Sequence, residues 1–219
     1  MVFVEDQLKE AWEHSDNPVS EIEMLAQSFV ANNNPLAAGD AYFFLGDKAQ
    51  LKYYDKALEQ YLLFLEWVRD VIPEDTYWMA TANRKVGEAC MWSFTTCLHE
   101  DLAEEYLMEA YAIYKTDPLR FAKELVMTCN MLSIVFFSSA AEYSSDEVAQ
   151  AIAFDLEAIH FLEEYRPREH EWAAEQYESL AYKYHCRGET QNESNCYKKA
   201  LSLRFLGFIP SMYQGRFYS

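Results

Sequence analysis

The chain has 219 residues, of which 51% are apolar and 16% are aromatic, so its composition excludes a disordered chain and provides a large core. The formal net charge of −18 repels phosphates and anionic lipid headgroups, which argues against direct binding to nucleic acid or membranes. The same charge could attract a basic partner or could only keep an aromatic-rich protein in solution, and the sequence leaves both explanations open.

The spacing of apolar residues predicts helices along the whole chain. Only six glycines and six prolines occur, which favours long helices over turn-rich β structure. Apolar residues recur three and four positions apart, as on one face of a helix. The helices are predicted, in chain order, at 3–14, 18–32, 36–50, 53–71, 75–97, 100–115, 118–142, 146–165, 169–186 and 190–206. The expected fold class is therefore all-α, with about ten helices.

Local start signals support three of these boundaries. Asp117-Pro118 offers an N-cap followed by proline at the first helical position. Ser144 and Glu147 are spaced as a capping box, and Thr190 and Glu193 are spaced in the same way. Each signal lies where a periodic segment begins.

Five of the prolines divide the chain at regular intervals. They lie at positions 35, 73, 118, 167 and 210, which are 38 to 49 residues apart. Each interval has room for two helices and their turns, and a period near forty residues predicts stacked helical pairs. In the N-terminal 34 residues, Leu8 and Trp12 are the predicted inward anchors of a capping pair.

The N-terminus and the cysteines predict a cytoplasmic protein. Acidic residues occur in the opening MVFVED without a basic flank before an apolar run, so no secretory signal is expected. The longest uncharged run, at 125–141, is interrupted by polar residues and predicts a buried helix rather than a membrane span. Five cysteines form no C-x-x-C pair and are expected to be reduced core residues.

The proline-bounded units resemble tetratricopeptide repeats. In the last unit, Leu180-Ala181, Tyr184 and Gly188 fall on the first helix and its turn, and Tyr197 and Ala200 fall on the second. Glu193 stands where the family prefers alanine. The corresponding residues of the earlier units are Tyr42, Leu45-Gly46, Ala57, Tyr61 and Phe64, then Val86-Gly87, Ala103, Leu107 and Ala110, then Leu132-Ser133, Ala151 and Ala158. The units are longer than the usual repeat and are similar to those of kinesin light chain and bacterial peptide-sensing regulators.

The resemblance implies a right-handed superhelical solenoid of antiparallel helix pairs. Residues 1–34 would form capping helices, 35–206 four helical pairs and 207–219 an aromatic, basic tail. The resemblance also implies that the first helix of each pair lines the concave face. The implied partner-binding residues are Phe43, Asp47, Gln50, Arg84, Glu88, Met91, Asn130, Phe137, Glu178, Tyr182 and His185, with Asp40, Thr81, Ile134 and Glu175 at further inward positions.

Acids outnumber bases on this face, and Arg84 is its one permanent cation. The expected partner is therefore a basic protein or peptide. These acidic positions could equally be a solvated helix face without a ligand.

The C-terminal segment reverses the charge of the rest of the chain. Residues 194–219 contain four bases and no acid. The tail residues expected to make contacts are Phe208, Tyr213, Arg216, Phe217 and Tyr218. The tail is predicted either to cap the last helical pair or to mask a binding surface of its own chain or of a second copy in a homodimer.

No catalytic, metal or cofactor motif stands out. Glu157-x-x-His160 is a lone element of the kind found in helical metal sites, and H-E-x-x-H, G-x-S-x-G and P-loop patterns do not occur. We therefore predict a non-enzymatic scaffold or adaptor that binds a protein or peptide. The alternative is an acidic inhibitor that covers a basic active site or nucleic-acid-binding surface of a partner.

Overall fold

The computed structural model describes residues 4–93 and 99–208, and gives no side-chain description for residues 99, 100, 207 and 208. Helices account for 83% of the described residues, and none of those residues lies in a β-strand. The all-α prediction is confirmed. The helices are α1 (Val4–His14), α2 (Pro18–Ala31), α3 (Pro35–Lys48), α4 (Lys52–Val71), α5 (Thr76–Trp92), α6 (His99–Tyr114), α7 (Ala122–Ser139), α8 (Asp146–Tyr165), α9 (His170–Cys186) and α10 (Thr190–Phe208).

The chain divides into two compact units, residues 1–113 and 114–219. In the first unit α2 packs on α3, α3 on α4 and α4 on α5. Two hydrogen bonds show that α3 and α4 are antiparallel. The hydroxyl of Tyr54, near the start of α4, donates to Asp47, near the end of α3. The hydroxyl of Tyr61, two turns further along α4, donates to Asp40, two turns nearer the start of α3. At the N-terminus, the Trp12 ring packs edge-on against Phe44 at 5.9 Å.

Small residues in the repeat pattern allow the helices of a pair to approach closely. A Cβ atom added at Gly46 would lie 2.6 Å from the ring of Tyr54, and one added at Gly87 would lie 2.6 Å from Cγ of Leu107. Real Cβ contacts are much longer, so both positions require glycine at the present helix separation. The packing role predicted for these two residues is confirmed.

The second unit contains the α7–α8 and α9–α10 pairs, with α8 packed on α9. Its core includes Val148 and Ile159 from α8, Leu180 from α9 and Cys196 from α10. In the α7–α8 pair the Ser133 hydroxyl donates to the carbonyl of Ala151 at 2.9 Å, in a fully buried helix–helix hydrogen bond. The third proline-bounded repeat, which has the Leu132-Ser133, Ala151 and Ala158 pattern, therefore forms a close helical pair as well.

One predicted helix start is wrong. The helix after Asp117-Pro118 begins at Ala122, four residues later than predicted. Asp117 instead closes an isolated turn, in which its carboxylate accepts from the Arg120 amide at 3.3 Å and its carbonyl accepts from the Phe121 amide at 3.1 Å. The turn lets the buried Phe121 ring pack on Tyr114 before the helix starts.

Two capping signals are displaced by one residue. The N-cap of α8 is Ser145, and its side chain makes no capping hydrogen bond, whereas Ser144 was predicted. Helix α10 already includes Thr190, the predicted N-cap. The preceding turn is closed by Gly188, whose positive φ of 73° is a conformation that glycine adopts without strain.

The apolar run at 125–141 lies mostly in α7, where Leu125, Cys129 and Leu132 are buried. Within the described ranges no helix has the length and apolar content needed to cross a membrane. Of the cysteines, Cys97 lies outside the described residues, and the other four form no disulfide. Burial raises the pKa of Cys90 to about 11, so this thiol is a core group and not a reactive one.

Candidate functional site

In the first unit, the first helices of two successive pairs lie side by side. The Lys85 ammonium on α5 is 2.9 Å from the carboxylate of Asp40 on α3 and lies over the ring of Phe43 at 6.0 Å. Phe43 also packs edge-on against Tyr54 at 5.0 Å. The structure therefore brings predicted residues of α3 and α5 onto one surface.

Most of the charges on this surface neutralise one another. The Arg84 guanidinium lies 3.3 Å from the Glu88 carboxylate, and Lys85 lies 3.7 Å from the same carboxylate. The Arg84 and Glu88 side chains are only 9% and 15% exposed. Sequence reasoning missed Lys85, although its position three residues before Glu88 is that of a helical ion pair. Neither Arg84 nor Glu88 offers a free charge to a partner.

The remaining predicted residues of the first unit have different environments. Asp47 is exposed at the end of α3, where it accepts a hydrogen bond of 2.5 Å from Tyr54. Burial, with this hydrogen bond as the second cause, raises the pKa of Tyr54 well above its ordinary value. Met91 is half-buried in the last turn of α5. Gln50 lies beyond the end of α3, in a turn where its amide donates to the carbonyl of Leu45, so it does not share the helix face.

In the second unit, predicted residues from α7 and α9 meet. The rings of Phe137 and Tyr182 pack edge to face with centroids 5.8 Å apart, and Tyr143 stacks on Phe137 at 5.9 Å. Ile134, one turn before Phe137, is 44% exposed, and Tyr182 is 53% exposed. We call Ile134, Phe137, Tyr143 and Tyr182 the inner patch. It is an exposed apolar surface on the face that the repeat resemblance assigns to binding.

A buried ion pair supports the inner patch from below. Lys183 on α9 and Asp155 on α8 are 2.8 Å apart, and their side chains are 5% and 1% exposed. The Lys183 ammonium also donates to the Ser179 hydroxyl at 2.9 Å and lies 5.4 Å from the centroid of the Phe137 ring. Burial raises the pKa of Asp155, and the positive charge of Lys183 acts in the opposite direction.

Asn130 lies one helical turn before Ile134 and two before Phe137 on α7. Its buried amide oxygen, Oδ1, accepts no hydrogen bond from the residues that the structure describes. A buried acceptor without a donor costs about 1–3 kcal/mol.

A polar cleft of about 420 Å³ adjoins the inner patch through Tyr143. Its other lining residues are Glu142, Ser144, Cys186, Arg187 and Glu189. The Arg187 guanidinium is 3.0 Å from Glu189, and the cleft therefore carries two carboxylates for one cation.

The other predicted residues of α9 have partners within the second unit. Glu178 receives two hydrogen bonds from the Arg204 guanidinium on α10, at 3.1 and 2.9 Å. The His185 side chain is 66% exposed, and its Nδ1 lies 3.2 Å from the carboxylate of Glu193. Glu178, like Glu88, is therefore paired with an arginine of the same unit, although Arg204 also contacts Glu171.

The remaining candidate residues do not form a catalytic group in the described structure. Glu157 pairs with Lys115 at 2.7 Å, and the His160 ring lies 5.7 Å from Phe161. Over residues 4–93 and 99–208, no three side chains of the metal-ligating types converge. Of the tail, Tyr213, Arg216, Phe217 and Tyr218 lie outside the described residues, and so does the side chain of Phe208.

Comparison with known proteins identifies structural neighbours only. No protein-family model matches the chain, and no curated protein matches it. The structure is similar to that of BtubC (BKLC) from P. vanneervenii, with 17% identity, coverage of 95% of this chain and 91% of that chain, and a TM-score of 0.59. It is also similar to the MamA protein, with 16% identity, coverage of 93% and 97%, and a TM-score of 0.47.

Proposed function

From the tetratricopeptide-repeat-like fold that this chain shares with BtubC, we propose that it is a non-catalytic scaffold that binds a protein or peptide. The observation that supports this proposal most directly is the inner patch. Phe137 and Tyr182 come from two successive first helices and share one apolar surface, on which Phe137 is half-buried and Tyr182 is exposed. Aromatic side chains on such a surface are the groups that most often dominate binding energy at protein interfaces.

The chemistry around the inner patch favours a peptide with a large apolar side chain. Such a side chain would cover Ile134 and the two rings. The adjoining cleft, with Glu142 and Glu189, would take a polar or cationic neighbour of that side chain.

The preference for a basic partner is also part of the proposal. It rests on the net charge of −18, on the exposed Asp47 and on the two carboxylates of the cleft. Glu88 and Glu178 contribute less than their sequence positions suggest, because each is paired with an arginine of the same unit. The cytoplasm, as a compartment where four described cysteines would stay reduced, is the proposed location.

The test uses Tyr182→Ala and a matched control, Tyr197→Ala. Tyr197 is 42% exposed on α10 and lies outside the inner patch. Partners captured from the native host by the wild-type chain are identified by mass spectrometry, and the affinity of each is then measured with purified proteins. We expect Tyr182→Ala to weaken binding by about tenfold or more, the usual cost of removing a central aromatic, and Tyr197→Ala to leave it unchanged. Equal affinities of the two variants would rule out the inner patch as the binding surface.

The alternative function, an acidic neutraliser, is supported by the net charge alone. The two functions differ in their response to salt. An aromatic surface keeps its affinity as ionic strength rises, whereas recognition by long-range charge loses its association rate steeply. We expect the dissociation constant of the captured partner to change by less than about threefold between low and physiological salt. A fall of the association rate by about tenfold or more would favour the neutraliser.

A further inference from the structure

The first unit contains an apolar groove that none of the predicted concave-face residues lines. Its volume is about 500 Å³. It lies between the end of α2, the α2–α3 turn, the start of α3, one side of α4 and the start of α5. The lining residues are Val30, Asn33, Asn34, Pro35, Leu36, Gln60, Leu63, Phe64, Trp67 and Trp78.

Aromatic contacts give the groove a fixed floor. The centroid of the buried Phe64 ring lies 6.2 Å from that of Trp67, and the two rings are nearly parallel. The centroid of the Trp78 ring lies 6.0 Å from that of Phe64, and these two rings are perpendicular. On the opposite wall, Asn33 adopts a positive φ of 53°, which turns the chain sharply between α2 and α3. The groove therefore results from the packing of four helices, α2 to α5, and not from a gap beside a loose loop.

The walls of the groove leave large apolar side chains in contact with water. Val30, Leu63 and Trp67 are 45%, 48% and 44% exposed. One turn after Trp67 on the same side of α4, Val71 continues the apolar surface and is 57% exposed. Contiguous exposed apolar surface of this kind, bordered by charged residues, is typical of a protein interaction site.

The charges along the rim determine what kind of partner fits. Exposed acids lie on α4 and in the following turn, namely Glu59, Glu66, Asp70, Glu74 and Asp75. Helical spacing places the first three next to the groove residues Leu63 and Trp67. Between residues 57 and 78 the sole base is Arg69, whose guanidinium lies 4.0 Å from the Glu109 carboxylate. An acidic rim repels anionic lipid headgroups and attracts cationic side chains. An apolar groove with this rim is complementary to a helix that has one apolar face and basic flanks.

We propose that this groove binds a basic amphipathic helix of a partner protein. A large apolar side chain of that helix would fill the space beside Trp67 and Trp78, and its lysine or arginine side chains would lie near Glu66 and Asp70. This site is additional to the inner patch, because the residues of the groove belong to the first unit and those of the patch to the second.

The test uses a fluorescein-labelled 14-residue peptide of leucine and lysine with an amphipathic helical pattern, and a scrambled peptide of identical composition. Binding to the full chain is measured by fluorescence anisotropy. Leu63→Lys places a charge in the groove, and its matched control is Leu156→Lys, because Leu156 is 47% exposed on α8 of the second unit. Both variants change the net charge by the same amount, so a difference between them reports the groove itself.

We expect the patterned peptide to bind at least about tenfold more tightly than the scrambled peptide. We also expect Leu63→Lys to remove most of that advantage and Leu156→Lys to retain it. Trp67→Gln serves as a second groove variant with no change of charge and should act like Leu63→Lys, while circular dichroism confirms that each variant is folded. The proposal is overturned if the two peptides bind equally or if Leu156→Lys weakens binding as much as Leu63→Lys.

Two other occupants would also overturn it. If the wild-type chain is a dimer that Leu63→Lys dissociates, a second copy of the chain covers the groove. If the peptide binds only after residues 209–219 are removed, the tail is the occupant. Sedimentation of the wild type and Leu63→Lys, together with anisotropy on the shortened chain, separates these outcomes.

Discussion

Replacing Lys183 with methionine should destabilise the second unit strongly at neutral pH. The substitution preserves most of the side-chain volume but removes the ammonium that lies 2.8 Å from Asp155. Asp155 is 1% exposed, so water cannot take the place of the lost partner. Removing one member of a buried ion pair costs about 3–5 kcal/mol, because the other charge is left unpaired in a medium of low polarity.

The cost should depend on pH in a defined direction. Burial already raises the pKa of Asp155 above 3.8, and the charge and hydrogen bond of Lys183 oppose that rise. Without Lys183 the pKa of Asp155 in the folded protein rises further. A carboxyl group whose pKa is higher in the folded state stabilises the protein below its unfolded pKa, and this stabilisation is lost as pH rises through the folded pKa. The stability lost in Lys183→Met should therefore be largest near neutral pH and should decrease as the pH falls toward the ordinary pKa of aspartate.

Urea unfolding followed by far-UV circular dichroism, at about pH 7.5 and about pH 4.5, measures both effects. The control is Lys199→Met, which removes a half-exposed ammonium 3.5 Å from Glu163 and should cost less than about 1 kcal/mol. Adding Asp155→Asn to Lys183→Met should recover much of the stability, because it removes the unpaired charge. Equal losses for Lys183→Met and Lys199→Met, or a loss that does not change with pH, would refute this reasoning.

Three further outcomes are expected. Gly87→Ala should lower the melting temperature by several degrees, since its Cβ would lie 2.6 Å from Leu107 and overpacking costs about 1–3 kcal/mol; a higher melting temperature would show that the helices can separate freely. A thiol reagent should label the half-buried Cys186 of the native chain well before Cys90, because burial raises the pKa of Cys90 to about 11. Peptide mapping identifies the labelled cysteine, and equal labelling rates would contradict the packing of α5. Asp47→Lys should weaken binding of a basic partner by only a few fold, as measured by titration with the purified partner, because the side chain is exposed; an unchanged affinity would place the partner elsewhere.

The helical architecture was predictable because it depends on local and periodic signals. Apolar residues three and four positions apart locate the helices, and Gly46 and Gly87 identify the points of close approach. Asp117-Pro118 misled the prediction of a boundary, because a turn and a helix N-terminus use the same residues. The burial of Phe121, which decides between them, is a tertiary contact without a local signature.

The charge balance of the candidate site was harder to predict. Sequence positions indicate which face a residue occupies, but not which opposite charge lies across from it. Arg204 neutralises Glu178 from 26 residues away, and Lys85 on α5 neutralises Asp40 on α3. Glu193, which departs from the alanine typical of the family, lies beside His185. Such partners become visible only when the helices are placed together.

The apolar groove of the first unit had no sequence signal of its own. Its residues come from four helices, and each apolar residue alone fits the pattern of an ordinary core position. Trp67 and Leu63 differ from core residues only because they remain exposed. Their exposure depends on the distance between the α2–α3 turn and α4.

The position of Lys183 beneath Phe137 affects how the inner patch would respond to a ligand. If the Phe137 ring rotated away, it would uncover an ammonium group that is otherwise enclosed by Asp155 and Ser179. The contacts with Lys183, Tyr143 and Tyr182 favour the observed orientation of the ring, so less side-chain conformational entropy would be lost on association. For the proposed function, this packing would favour ligands whose shape matches the observed surface.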